Sequence, residues 1–134
     1  MKALPVFRDE QLVDLAELAR QIQDTHDVRR RALVAFMDRA ADLVQERHRA
    51  RFANWPSWDF GKFRSAVRKA AAADISVSER DDWQAYFDNK KSEIASLDLR
   101  IRDMENEIND RVYRLFDLDT DEIALIEKAL EGQY

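Results

Sequence analysis

Cysteine is absent from this chain, and its 134 residues hold only two glycines, Gly61 and Gly132, and two prolines, Pro5 and Pro56. Without thiols there is neither a disulfide framework nor a thiolate metal site. Two isolated glycines cannot build a phosphate-cradling loop or a dinucleotide fingerprint, since both need several glycines close together for tight turns and near backbone approach. So few turn-forming residues also argue against a many-stranded sheet. No apolar run approaches the ~20 residues of a membrane span. The opening Met1-Lys2-Ala3-Leu4-Pro5 lacks the apolar stretch of a secretory signal, so a cytoplasmic location is expected. Histidine is scarce as well. His26 and His48 are expected on one helix, where 22 residues separate them by about 33 Å, too far to share a metal ion.

What the chain does have is 46% hydrophobic and 37% charged residues, too apolar for disorder and well suited to long amphipathic helices. A chain of this length is long enough for a single domain that buries roughly two thirds of its unfolded surface. The net charge of −5 is uneven: −2 over residues 1–25, +6 over 26–70 and −9 over 71–134. A basic middle beside an acidic end suits either attraction within the fold or contact of the middle with nucleic-acid phosphate.

Periodicity divides the chain into four helices. Behind Asp9 as N-cap, Leu12, Leu15, Ala19 and Ile22, then Leu33, Phe36, Ala40 and Leu43, recur at three- and four-residue steps, with His26 and Arg29 filling the gap. Because neither Gly nor Pro interrupts it, this stripe predicts one helix over about 9–48, roughly 60 Å long and kinked near Thr25. Pro56 ends it, and Asp59 can cap a short connector helix over about 59–72 whose Phe60, Phe63, Val67 and Ala71 share a face. From Ser76 or Ser78 as cap, a helix over about 78–115 carries Trp83, Phe87, Lys90, Ile94, Leu97, Ile101, Met104, Ile108, Val112 and Leu115. Their mean period near 3.5 residues is that of a coiled-coil seam. Asp119 and Glu122 make a capping-box-like pair, with Leu118 stapled to Ile123, opening a last helix over about 120–130 that Gly132 ends. The economical architecture is all-α: a long antiparallel, coiled-coil-like hairpin with a short connector helix and a short C-terminal helix, forming one helical domain over 1–134.

Two features could carry function. Trp55, Trp58, Phe60 and Phe63 lie among Arg49, Arg51, Lys62, Arg64, Arg68 and Lys69, a mixture that nucleic-acid surfaces use for phosphate neutralisation and base stacking. The plainer reading, and the favoured one, seals the aromatics into a small core at the hairpin tip and leaves the basic residues in water. The seam of Trp83, Phe87, Ile94, Leu97, Ile101, Met104, Ile108, Val112 and Leu115 is expected to pack against the first helix rather than a second copy. Glu105, Glu107 and Asp110 read as a solvated face, because a catalytic carboxylate pair would need burial to shift a pKa.

The residues also resemble a known family. The stretch Ile75-Ser76-Val77-Ser78-Glu79-Arg80-Asp81-Asp82-Trp83 with Tyr86-Phe87 and Lys90, then Ile101, Glu105, Glu107-Ile108-Asn109, Val112-Tyr113-Arg114-Leu115-Phe116 and Leu118 to Glu127, is similar to the C-terminal end of large adenine-specific DNA methyltransferases of restriction-modification systems. These are the type IIG enzymes, which fuse methylation to cleavage, and related phage-exclusion methyltransferases. Trp55, Trp58-Asp59-Phe60 and Phe63 resemble the connector found there. Asp117 stands where Gly is usual and Phe116 where Tyr is usual. The catalytic Asn/Asp-Pro-Pro-Tyr/Phe loop of that family, which holds a flipped adenine, cannot exist here, because Pro5 and Pro56 are 51 residues apart.

The resemblance implies a non-catalytic helical spacer and docking module that braces a target-recognition domain, with no catalytic residue, metal or cofactor of its own. Its expected partners are a methyltransferase or restriction-complex protein and, through the basic connector, the backbone of duplex DNA, with no membrane role. The alternative is a self-contained oligomeric helical scaffold without a nucleic-acid role, for which a homodimer is the simplest form.

Overall fold

The computed structural model describes residues 9–116 and 120–131, and among these the secondary structure is entirely helical. Helix α1 (Asp9–Ala40) is followed by 3₁₀ segments over Glu46–Phe52 and Trp55–Ser57, then α2 (Phe60–Ala71), α3 (Val77–Leu115) and α4 (Thr120–Glu131). The chain divides into two compact units, one of residues 25–100 and one of residues 1–24 with 101–134. Helices α1 and α3 contribute residues to both, and they pair antiparallel in each. Arg29 bonds Asp98 and Phe36 meets Phe87 in the first unit, and Arg111 reaches Asp14 at 3.9 Å in the second.

The core of residues 25–100 is a knot of aromatic rings. Phe36 is fully buried, stacked on Trp55 at 3.8 Å between centroids and edge-on to Phe63 at 5.4 Å and Phe87 at 5.9 Å. Phe63 stacks on Phe87 at 5.2 Å, and Phe52 closes the far side against Phe63 and Trp58. Burying one such ring is worth about 1.5–3 kcal/mol, and each well-oriented ring pair adds about 0.5–1.5 kcal/mol. At the surface, Arg39 lays its guanidinium over Tyr86, 4.2 Å from the ring centroid.

This knot explains why α1 stops at Ala40 and does not run on to His48 as the uninterrupted periodicity predicts. Along a continued helix, Phe52 would lie about 160° around from Phe36, on the opposite face. The chain instead tightens with Leu43 and Val44 both donating to the Ala40 carbonyl, and becomes extended at Gln45. That reversal buries Val44 and Phe52 beside Phe36. Tertiary burial has overridden local helix propensity.

The predicted stripe on α1 holds at Leu15, Ile22, Arg29, Leu33, Phe36, Ala40 and, just beyond the helix, Leu43, all buried or half-buried, and fails at three positions. Leu12, Ala19 and His26 are exposed, whereas Leu18, Thr25 and Ala32 turn inward, with Thr25 only 5% accessible. Placing the four-residue step at Leu15–Ala19 and again at Ile22–His26 put the expectation one residue off at Ala19 and His26 alone; the larger Leu18 side chain takes the inner position in place of Ala19. Thr25 lies inside unbroken helix.

On α3 every predicted seam position from Trp83 to Leu115 is buried or half-buried. Asp59 caps α2, its Oδ1 accepting from the Lys62 amide at 2.7 Å, and Phe63 and Val67 form the buried face. The half-buried member near its end is Ala70 rather than the exposed Ala71. Helix α2 ends in Ala72 at φ 54°, a left-handed position normally given to glycine. Helix α3 starts at Val77, which leaves Ser76 in front of it, its carbonyl accepting from the Glu79 amide at 3.0 Å. Between α2 and α3, Asp74 accepts from Arg64 in a two-pronged pair at 2.9 and 2.7 Å, from Arg80 at 3.1 Å and from the Ile75 amide at 2.8 Å. Arg64 is the main reason that the Asp74 carboxyl is held down to about 2. The joint fixes the turn that buries Ile75. Leu118, Asp119 and Gly132, expected to bound α4, lie outside the described residues, as does everything before Asp9.

Candidate functional site

The basic connector is the region to which the sequence points, and the fold sorts its residues into three kinds. The aromatics are interior: Trp55, Trp58 and Phe63 are buried and Phe60 half-buried, so none offers a free face for a base to stack on. Arg64 is committed to Asp74, which leaves its guanidinium neutralised and its orientation fixed. Arg51, Lys62, Arg68 and Lys69 stand on the outside of this core, and Arg49 is half-buried at its edge.

On α2, at 100° per residue, Lys62 and Lys69 fall along one flank two turns apart, and Arg68 lies on the other flank with Arg64. Phe63 and Val67 hold the inner face between them. Lys62 carries its ammonium 5.7 Å from the Trp58 ring, and Lys91 from α3 donates to the Trp58 carbonyl at 2.7 Å, locking the loop from which α2 departs. Arg68 and Lys69 occupy the last turn of α2, where the helix dipole favours positive charge.

The 3₁₀ stretch Glu46–Phe52 packs against α2 and carries Arg47, Arg49 and Arg51. Arg51 is exposed. Arg49 is half-buried, and its Nε is shut off from solvent with no hydrogen-bond partner. Arg47 donates from Nε to the Nε2 of His48 at 3.2 Å. Partial desolvation of His48, with the charges of Arg51 and Arg47 beside it, pushes its pKa down, in keeping with a neutral ring that accepts. Nothing in the sequence set Arg49 apart from its neighbours; its isolation is a product of the chain reversal after Ala40. Arg47 was equally missed, although it shares the charge run with Arg49 and Arg51.

The seam residues Trp83, Phe87, Ile94 and Leu97 face the core of residues 25–100, and Ile101, Met104, Ile108, Val112 and Leu115 face inward in the other unit. Among the described residues, no group of three His, Asp or Glu side chains is placed to hold a metal ion, and no helix is long and apolar enough to cross a membrane.

Residues 8–112 match the model of a family described as Domain of unknown function (DUF8810). The chain belongs to this family. The matched stretch takes in α1, the aromatic knot, the basic connector and most of α3, and stops short of α4 in the DUF8810 chain described here. No curated protein and no solved structure shows significant similarity to it.

Proposed function

We propose that this DUF8810 chain is a non-catalytic helical spacer and docking module that works in the cytoplasm beside a DNA methyltransferase or restriction complex and touches the DNA backbone through its connector. One observation carries the DNA part of this reading. Arg51, Lys62, Arg68 and Lys69 are exposed on a core whose aromatic rings are sealed inside. A surface of that kind suits phosphate contact, which positions a protein on a duplex without reading bases. Stacking on single strands would need rings at the surface. The link to restriction-modification systems rests on the resemblance of residues 75–127 and of the connector to the C-terminal end of those methyltransferases.

Fluorescence titration with duplex DNA at low and moderate salt tests the proposal. Neutralising about four phosphates predicts a slope near −3.6 in log K against log salt, by the rule of about −0.9 per phosphate. Lys62→Glu with Lys69→Glu is expected to remove most of the binding, and the slope with it. An absence of salt-dependent binding at micromolar protein eliminates the DNA contact and leaves docking alone.

A further inference from the structure

Side chains three residues apart eclipse along a 3₁₀ helix, which sorts the stretch Glu46–Phe52 into edges. Arg49 and Phe52 share the edge that packs inward. His48 and Arg51 share a second edge, and Arg47 reaches it by donating from Nε to the His48 Nε2 at 3.2 Å. Two guanidinium groups thus bear on one imidazole. Among the described residues no carboxylate pairs with Arg47 or Arg51, whereas Arg29, Arg64, Arg80 and Arg111 each hold one.

As it stands, the cluster selects a neutral ring. A proton on Nε2 would remove the acceptor that Arg47 uses and set a third positive charge beside two others. Partial desolvation, then the charges of Arg51 and Arg47, oppose that proton. Helix α2, packed against this stretch, brings no relief: Arg64 is taken by Asp74, and Lys62, Arg68 and Lys69 add positive charge. From α1, Asp38 lies across a groove that Arg49 lines. An oxyanion reverses the balance. One phosphate oxygen replaces the ring as acceptor for Arg47 and another meets Arg51, so the ring can take a proton from solvent and donate Nε2–H to the same group. We propose that Arg47, His48 and Arg51 form a phosphate-binding site in which the phosphate and a proton on His48 enter together. For its macromolecular ligand, a backbone phosphate of duplex DNA, the site rests on the DNA contact proposed above; free phosphate offers the same chemistry.

NMR titration of the histidine ring protons from about pH 5 to 8 reads the coupling in the full chain, alone, with saturating duplex DNA and with inorganic phosphate. The chain has two histidines, and the signal missing from His48→Gln identifies the ring. Ligand should raise the His48 midpoint by about one pH unit, which by linkage means about tenfold tighter binding to the protonated protein. The His26 midpoint should move far less. Arg51→Gln alters an exposed position, so it should keep the helical circular dichroism spectrum and lose most of the shift. A response to duplex alone makes the DNA backbone the source of the phosphate. A response to inorganic phosphate in a chain that does not bind duplex keeps the site and discards the DNA contact. Salt-dependent duplex binding with the His48 midpoint unmoved by either ligand overturns the site and leaves the DNA contact standing. Silence toward both ligands overturns it too, as do equal shifts of His48 and His26 or a shift that survives Arg51→Gln.

Discussion

The two units are built from the same pair of helices yet packed by different means. Over residues 25–100 the interface is filled by rings contributed from four separate segments, with Phe36, Phe52, Phe63 and Phe87 all fully buried. In the other unit it is a row of aliphatic side chains, Leu15, Leu18 and Ile22 with Met104, Ile108 and Val112, all only half-buried; on that stretch of α3 Ile101 and Tyr113 are buried, though not completely. A two-helix contact can shield each side chain from one direction only, whereas the connector roofs the first unit and closes its core. The lesson is that a regular heptad pattern fixes which residues face inward, while the amount of burial depends on whether a third layer covers them.

That contrast can be broken by mutation. The largest effect should come from Phe36→Ala, which removes the ring at the centre of the knot and should cost about 3–5 kcal/mol in chemical denaturation. Ile108→Ala, an equally regular seam position, should cost only about 1–2 kcal/mol because part of its side chain is already in water. Equal losses would show that the two units are packed alike. Ala72→Gly should act in the opposite direction, stabilising the protein by about 1 kcal/mol by relieving the left-handed strain. Its gain in amide-exchange protection should fall on residues 60–90; a gain confined to residues 101–115 would contradict this account of the units.

The smallest effect is a matter of pH. The carboxyl of Asp74 is held at about 2, below its ordinary 3.8. Its contribution is therefore complete above about pH 4 and is lost as pH falls through 2. Asp74→Asn should lower stability at neutral pH and flatten the acid limb between pH 4 and 2, with the two proteins converging below that. Parallel acid limbs for parent and variant would remove Asp74 from the account.

Much of this architecture was legible in the residues, and unevenly so. The α3 seam could be read position by position because nearly every turn from Trp83 to Leu115 offers one clear inward candidate; the exception is Tyr113, which is more withdrawn than the expected Val112 beside it. The α1 register was harder, since Ala19 and Leu18 compete for one place, as do His26 and Thr25, and size and packing against α3 decided both. The end of α1 was invisible, for no Gly or Pro marks Ala40; what stops the helix is the need to bury Phe52. In the connector, the capping by Asp59 and the inward faces of Phe63 and Val67 followed from spacing. The division of its basic residues did not. Arg64 finds its carboxylate ten residues away across a joint, and Arg49 loses its solvent to a chain reversal, neither of which leaves a mark in a local charge run.

The pairing of Phe36 with Phe87 carries a consequence for biosynthesis. The two rings are 51 residues apart in the chain, and Trp55 and Phe63 lie between them. A polypeptide emerging from the ribosome therefore presents Phe36, Phe52, Trp55, Trp58, Phe60 and Phe63, two thirds of the rings in this cluster, before the helix that covers them has been made. Cotranslational compaction of this unit should come late and abruptly, once the segment through Ile94 has cleared the exit tunnel, leaving a defined interval in which a chaperone has reason to attend.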